Sequence, residues 1–161
     1  MFAEGGCSCG AVRYRLLERP IIVHACHCLD CQRLTGAAYA TNAWIEKDRV
    51  EVTGSLATYR RAGGSGAEHR VYFCAACSTM VMNDYRRVPG EFWFVRVGTL
   101  DQPQLLSPDI HIHTRRKHPA VVLPTDAVAF EVSYDRAKVW PPDALARVEA
   151  NIAAHPVPKA T

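Results

Sequence analysis

No apolar stretch in the 161 residues approaches the length of a membrane span, which excludes a bilayer-crossing helix. Met1-Phe2-Ala3-Glu4-Gly5-Gly6 has neither a basic n-region nor an apolar h-region, so no secretory signal is expected. Charge of one sign is also scarce. A net +3 tolerates a small anionic ligand but does not mark a nucleic-acid binder, and no long basic or disordered extension is present. Internal repeats and low-complexity segments are missing. With 48% hydrophobic and 22% charged residues, the composition is that of a globular protein and rules out wholesale disorder. The length suffices for one domain with its own core. Finally, no cysteine lies outside three short clusters.

Those clusters are Cys7-Ser8-Cys9, Cys26-His27-Cys28-Leu29-Asp30-Cys31 and Cys74-Ala75-Ala76-Cys77. A disulfide framework fits them poorly. Seven is odd, so one thiol would be stranded. Cysteines one or two residues apart are poor partners for a bridge that needs a specific separation and dihedral. A chain without an export signal is expected in the cytoplasm, where structural disulfides are rare. The same spacing suits turns that aim two sulfurs at one ion. Thiolate ligands select zinc, iron–sulfur or copper(I), and zinc is the default for a tetrahedral sulfur site. Two pairs make a closed four-thiolate site, and a triplet leaves one position open. Structural zinc uses four protein ligands, whereas reactive zinc keeps a place free.

The chain reads as mainly β, with small antiparallel sheets and a short C-terminal helix. Val12, Tyr14 and Leu16 alternate with Arg13 and Arg15, the period of a strand. Further strands are expected over residues 39–45, 50–52, 92–97, 110–114 and 128–132. Gly63-Gly64-Ser65-Gly66 is expected to join residues 58–60 to residues 69–73 as a hairpin. Only the tail reads as helical. Pro141-Pro142-Asp143 caps residues 144–154, with Leu145, Val148 and Ile152 on one stripe, and Pro156 and Pro158 end the order. The cysteine clusters then fall at strand ends and turns. A metal joining Cys7 and Cys9 to Cys74 and Cys77 closes a long loop, which is a structural task.

Gly6-Cys7-Ser8-Cys9-Gly10-Ala11-Val12-Arg13-Tyr14 resembles the opening motif of the glutathione-dependent formaldehyde-activating enzyme family, whose domain also occurs in centromere protein V. Cys26-His27-Cys28-Leu29-Asp30-Cys31-Gln32-Arg33-Leu34-Thr35-Gly36 resembles the family's second motif, and Phe73-Cys74-Ala75-Ala76-Cys77 its third. Gly98-Thr99-Leu100-Asp101 and His111-Ile112 also fit. The resemblance runs from Gly5 to about Phe130, so residues 1–134 are taken as the zinc-binding domain and 135–161 as a helical tail. It implies a zinc-stapled, β-tent-like fold with two Zn2+ per chain. One zinc is structural, on Cys7, Cys9, Cys74 and Cys77. The second, on Cys26, Cys28 and Cys31, is tied to activity. The implied reaction joins glutathione and formaldehyde as S-hydroxymethylglutathione, a carbon–sulfur lyase reaction in reverse. One departure is Ser78, where the family usually has glycine; it implies a different turn or some strain.

A thiol bound at the open position of a three-thiolate zinc loses its proton, and the thiolate is the nucleophile an aldehyde needs. Three thiolates leave such a zinc at −1 and a fourth at −2, so it suits presenting a thiolate better than polarising a carbonyl. Several neighbours have two readings each. His27 is either a fourth ligand or proton shuttle, or a turn residue whose ring points away from the sulfurs. Asp30 is an orienting carboxylate or a solvated one. Gln32 and Arg33 contact the carboxylates of a bound thiol or lie on the surface. His111 and His113, expected on one strand face, bind metal or form a polar face. Arg115-Arg116-Lys117-His118 holds an anion or is a solvated loop. Besides the enzyme, whose partners are a small thiol and a small aldehyde, two other functions stay open. These are a zinc-stabilised binding module and a thiol carrier or scavenger without catalysis.

Overall fold

The computed structural model describes residues 1–156. Pro158, expected to help end the tail's order, lies outside them. The described residues form ten strands: β1 (Ala3–Gly6), β2 (Arg13–Leu16), β3 (Ile22–Cys26), β4 (Ala40–Glu46), β5 (Val50–Thr53), β6 (Leu56–Ala62), β7 (Glu68–Cys74), β8 (Met80–Tyr85), β9 (Phe92–Arg96) and β10 (Ile110–Ile112). Three α-helices accompany them: α1 (Leu29–Thr35), α2 (Arg136–Val139) and α3 (Pro142–Ala154). The expected mainly β architecture is present. One sheet has three antiparallel strands in the order β1-β2-β5. The other is larger than anticipated, with seven strands in the order β10-β3-β4-β9-β8-β7-β6, and its β10–β3 pair is parallel.

Side-chain alternation gives the large sheet two occupied faces. Val23, Ala43, Ile45 and Val95 point to the small sheet and pack with Val12, Tyr14 and Leu16 of its side. Ile22, Trp44 and Phe92 point the other way, to Trp140, Ala144 and Val148. Thus α3 covers one end of the second face. Its start is set by Pro142 in the first turn, and its buried stripe is Ala144, Val148 and Asn151, with Leu145 and Ile152 flanking. Asn151 is fixed there because its Oδ1 accepts the Glu91 N–H at 2.8 Å. Arg147 ties the same helix to Glu46 at 2.9 and 2.6 Å.

Several elements differ from expectation. The strand anticipated over residues 128–132 is absent: Ala129 makes one isolated parallel bridge to His111. The segment still runs beside β10, His111 N–H donating to Val128 O at 2.8 Å and Phe130 N–H to His111 O at 2.9 Å, but the left-handed turn at His113 stops regular pairing there. The strand anticipated to residue 114 ends at Ile112, because His113 turns with φ of 58°. Strands β1, β3 and β8 and helices α1 and α2 were not anticipated. β3 is buried at every position, so it shows no alternation. α1 has seven residues and buries none of them, so it carries no amphipathic stripe. It is defined by its ends instead. Cys28 caps its N-terminus by accepting the Cys31 N–H, and left-handed Gly36 closes it by donating to Gln32 O.

Candidate functional site

The first and third clusters meet. Cys7 follows β1, and its turn is closed by Gly10 N–H donating to Cys7 O at 3.1 Å. Cys74 is the last residue of β7, where Ser78 N–H donates to Cys74 O at 2.9 Å. The sulfurs of Cys7, Cys9, Cys74 and Cys77 lie within 4.8 Å of one another, with Cys7–Cys9 at 3.5 Å and Cys9–Cys74 at 3.8 Å. Tetrahedral zinc with bonds of about 2.3 Å sets its sulfurs roughly 3.8 Å apart, so this donor set fits a metal of that kind. N–H groups already point at the sulfurs: Val12 at Cys7, 3.2 Å, and Ala76 at Cys74, 3.4 Å. Such bonds favour thiolates. The Thr79 hydroxyl, 3.2 Å from Cys77 Sγ, helps hold that thiol down at about 5. The same hydroxyl meets Ser8 Oγ at 2.9 Å, joining the two loops directly.

Ser78, where the resemblance leads one to expect glycine, has φ of 60°, a left-handed turn in which a side chain is strained. A left-handed L-residue costs about 1–2 kcal/mol. Glycine's extra freedom in the unfolded chain offsets about 0.4–1 kcal/mol of what relief would gain. Ser78→Gly is therefore expected to stabilise the metal-loaded protein by about 1 kcal/mol in urea unfolding. A loss of stability would show that the Ser78 side chain does more than occupy the turn.

The middle cluster is assembled from a strand end, a helix cap and a helix. Cys26 ends β3, Cys28 caps α1 and Cys31 lies in the first turn of α1. Their sulfurs are also within 4.8 Å of one another, and no fourth His, Cys, Asp or Glu joins them among the described residues. Hydrogen bonds from the Cys26 and Cys31 thiols hold Cys28 well below the usual thiol range. Cys28 Sγ also accepts the Cys31 N–H at 3.3 Å. The donor set fits a metal with one position left over.

The neighbours sort clearly. The His27 ring points away from the sulfurs. It is wholly buried, with Nε2 3.1 Å from His111 Nδ1 and its ring 5.0 Å from that of Tyr39. Burial pushes both histidines below their usual range. His111 and His113 do not share a face. His111 is buried against His27, whereas the left-handed turn at His113 carries it into the cavity described below. Gln32 is not free to hold a ligand, since its Nε2 donates to His27 O at 2.8 Å and Arg116 O at 2.9 Å. Arg33 is exposed on α1 and outside the cavity. Asp30 is half-buried and pairs with Arg61 at 2.9 Å.

The triplet opens on a cavity of about 640 Å³. Its back wall is the second face of the large sheet. Register aligns His24 with Asn42 and Asn42 with Arg96, one row across β3, β4 and β9. Phe94 and Asn83 continue the wall, α1 and residues 63–65 form another side, and exposed Arg115 and Arg116 contribute from the loop after β10. A second cavity of about 400 Å³ lies beyond Arg96, lined by Tyr39, Thr41, Ser78, Met80 and Thr99. His24 is held by Tyr134. The Trp140 N–H can only donate, so Tyr134 Oη accepts it and directs its own proton to His24 Nε2, 2.6 Å away. Burial pushes His24 down to about 4 and Tyr134 up to about 12, so this chain is neutral near pH 7.

His24, Asn42 and Arg96 were not anticipated as site residues. One signal was present. In Phe92-Trp93-Phe94-Val95-Arg96, alternation puts an arginine on the same face as two phenylalanines, where a charge needs a reason.

A family model described as glutathione-dependent formaldehyde-activating enzyme matches residues 2–116. A curated protein of Halomonas elongata bearing the same family name is 31% identical over 84 residues, covering 49% of this chain and 54% of that protein. The chain thus spans about half the length of that relative. A crystal structure of a Rhodobacter sphaeroides protein is 27% identical and superposes with a TM-score of 0.48, covering 65% of this chain and 96% of that one.

Proposed function

The chain belongs to the glutathione-dependent formaldehyde-activating enzyme family, and on that premise we propose that it condenses a small thiol, glutathione or a relative, with formaldehyde or a related small aldehyde. It acts as a carbon–sulfur lyase in the joining direction. The observation that carries this reading is the triplet: three converging thiols, no fourth protein ligand among the described residues, and a cavity of about 640 Å³ in front of them. That volume lies within the roughly 300–1,000 Å³ of small-molecule sites.

In this reading Cys7, Cys9, Cys74 and Cys77 hold a structural zinc, and Cys26, Cys28 and Cys31 hold a second one. Zinc on three thiolates supplies an open position at which an incoming thiol gives up its proton. The chain's own residues do the rest. Arg115 and Arg116 present guanidinium groups to the carboxylates of a peptide thiol. Phe94 and Leu34 exclude water beside the sulfurs, whereas Asn83 is committed to the wall itself, its Nδ2 donating to Phe94 O at 3.1 Å and its Oδ1 lying 3.0 Å from His69 Nε2. The substrate sulfur forms a bond to the aldehyde carbon, the carbonyl π pair moves to oxygen, and that oxygen regains the proton the thiol lost. Seven free thiols suit the reducing conditions of the cytoplasm, the proposed location; among the described residues no helix is long and apolar enough to cross a membrane.

Exchange spectroscopy of glutathione with formaldehyde tests the reading. The protein loaded with two zincs is expected to speed exchange above the spontaneous rate. Exchange no faster than in buffer, with both zincs bound, would defeat the reaction and leave a thiol carrier or a binding module.

A further inference from the structure

Arg96 is a buried charge with nothing acidic to face. It is 6% exposed. Glu46 and Asp84, also buried, have ordinary partners: Arg147 at 2.6 Å and Lys47 at 2.8 Å. Arg96 has no carboxylate within 4.0 Å among the described residues. Its Nη1 donates to Asn42 Oδ1 at 2.5 Å and its Nη2 to the weak acceptor Met80 Sδ at 3.6 Å, while Nε–H has no partner. A guanidinium does not shed its proton, and an uncompensated buried ion costs several kcal/mol. Some negative charge must therefore stand near it.

The surroundings leave one source. The second cavity on its far side is lined by neutral side chains, with Arg96 itself the exception. In the first cavity the acidic lining residue is Asp30, which Arg61 already pairs at 2.9 Å. What remains in that cavity is the cysteine triplet. Burial works against the Arg96 charge, and negative charge on the cysteine sulfurs, Cys31 foremost, works for it. The placement is built by the sheet. Register sets Arg96 beside Asn42, and Asn42 anchors one arm of the fork.

We propose that Arg96 is the counter-charge of the Cys26–Cys28–Cys31 centre, a positioning residue that brings a three-thiolate zinc to neutrality so that an anionic thiol can join it. Zinc at +2 with three thiolates at −3 leaves −1, and Arg96 brings the sum to zero. Entry of a substrate thiolate then reaches −1 rather than −2. This explains why a charge is tolerated in a buried stretch of the sheet. It rests on the zinc assignment in the proposed function, but its test is separate from turnover.

The test is metal affinity. The protein with two zincs is titrated with a chromophoric chelator, alongside Arg96→Met and Arg96→Lys. Outer partners of a metal centre typically contribute about 10- to 100-fold in affinity. Arg96→Met is expected to weaken the more labile zinc by that factor, with the tighter zinc and the circular dichroism unchanged. Arg96→Lys, which restores charge without the fork, is expected to stay within a few-fold of the parent. If Arg96→Met fails to fold, Arg96→Gln, neutral but able to donate to Asn42, takes its place under the same criteria. Unaltered affinity in the neutral variant overturns the proposal, and so does equal loss in Arg96→Lys, which would make the fork and not the charge decisive. Parent protein that binds two zincs without accelerating exchange defeats the reaction alone.

Discussion

Cys74→Ser is expected to unfold the domain, not merely to empty a site. Cys74 is 1% exposed at the end of β7, and its sulfur sits 3.8 Å from that of Cys9, 65 positions earlier. The cluster therefore joins the turn between β1 and β2, in the small sheet, to a strand of the large one. A structural zinc contributes on the order of 10–16 kcal/mol of apparent binding free energy. Whole domains are stable by about 5–15 kcal/mol. Loss of the metal alone can thus exceed the entire margin. The measurement is far-ultraviolet circular dichroism with metal analysis: the variant should lose both zincs and its cooperative unfolding transition. A chelator strong enough to strip both ions should do the same to the parent. Retention of a native spectrum with a midpoint within a few degrees of the parent would show that the two apolar cores hold the fold without the staple.

Cys28→Ser should give the opposite pattern, a fold kept and a site lost. Serine is as good an N-cap as any residue, so its hydroxyl can take over the Cys31 N–H that Cys28 now accepts. α1 buries none of its residues, so little of the core depends on its exact seat. One zinc equivalent should disappear, and thiol–aldehyde exchange should fall to the spontaneous rate, while the unfolding midpoint moves by no more than a few degrees. Exchange equal to that of the parent would remove the triplet from the chemistry.

The spatial grouping of the cysteines was legible from sequence. Two pairs and a triplet leave few ways to divide seven, and cysteines adjacent within a cluster stay adjacent in space. The β6–β7 hairpin and α3 were legible because glycines mark one and a proline cap marks the other. β3 was not, since burial on both faces erases alternation. α1 was not, since a capped helix of about two turns that buries nothing has no stripe to read. The row His24, Asn42 and Arg96 was hidden for a further reason. Its members are 18 and 54 positions apart, and only strand order and register bring them side by side. Gln32 shows the converse: beside a motif it could be read as a ligand contact or a surface residue, and the fold makes it neither, committing its amide to two backbone carbonyls.

The neutral chain from Trp140 through Tyr134 to His24 has an evolutionary consequence. The family match covers residues 2–116, yet residues 134 and 140 set the position of a side chain in the cavity wall. The cysteine clusters and part of the cavity wall are therefore written in different stretches of the sequence. Change in the tail can reshape the cavity through His24 while all seven thiols stay in place, so chains with the same cysteine pattern can still present differently shaped cavities.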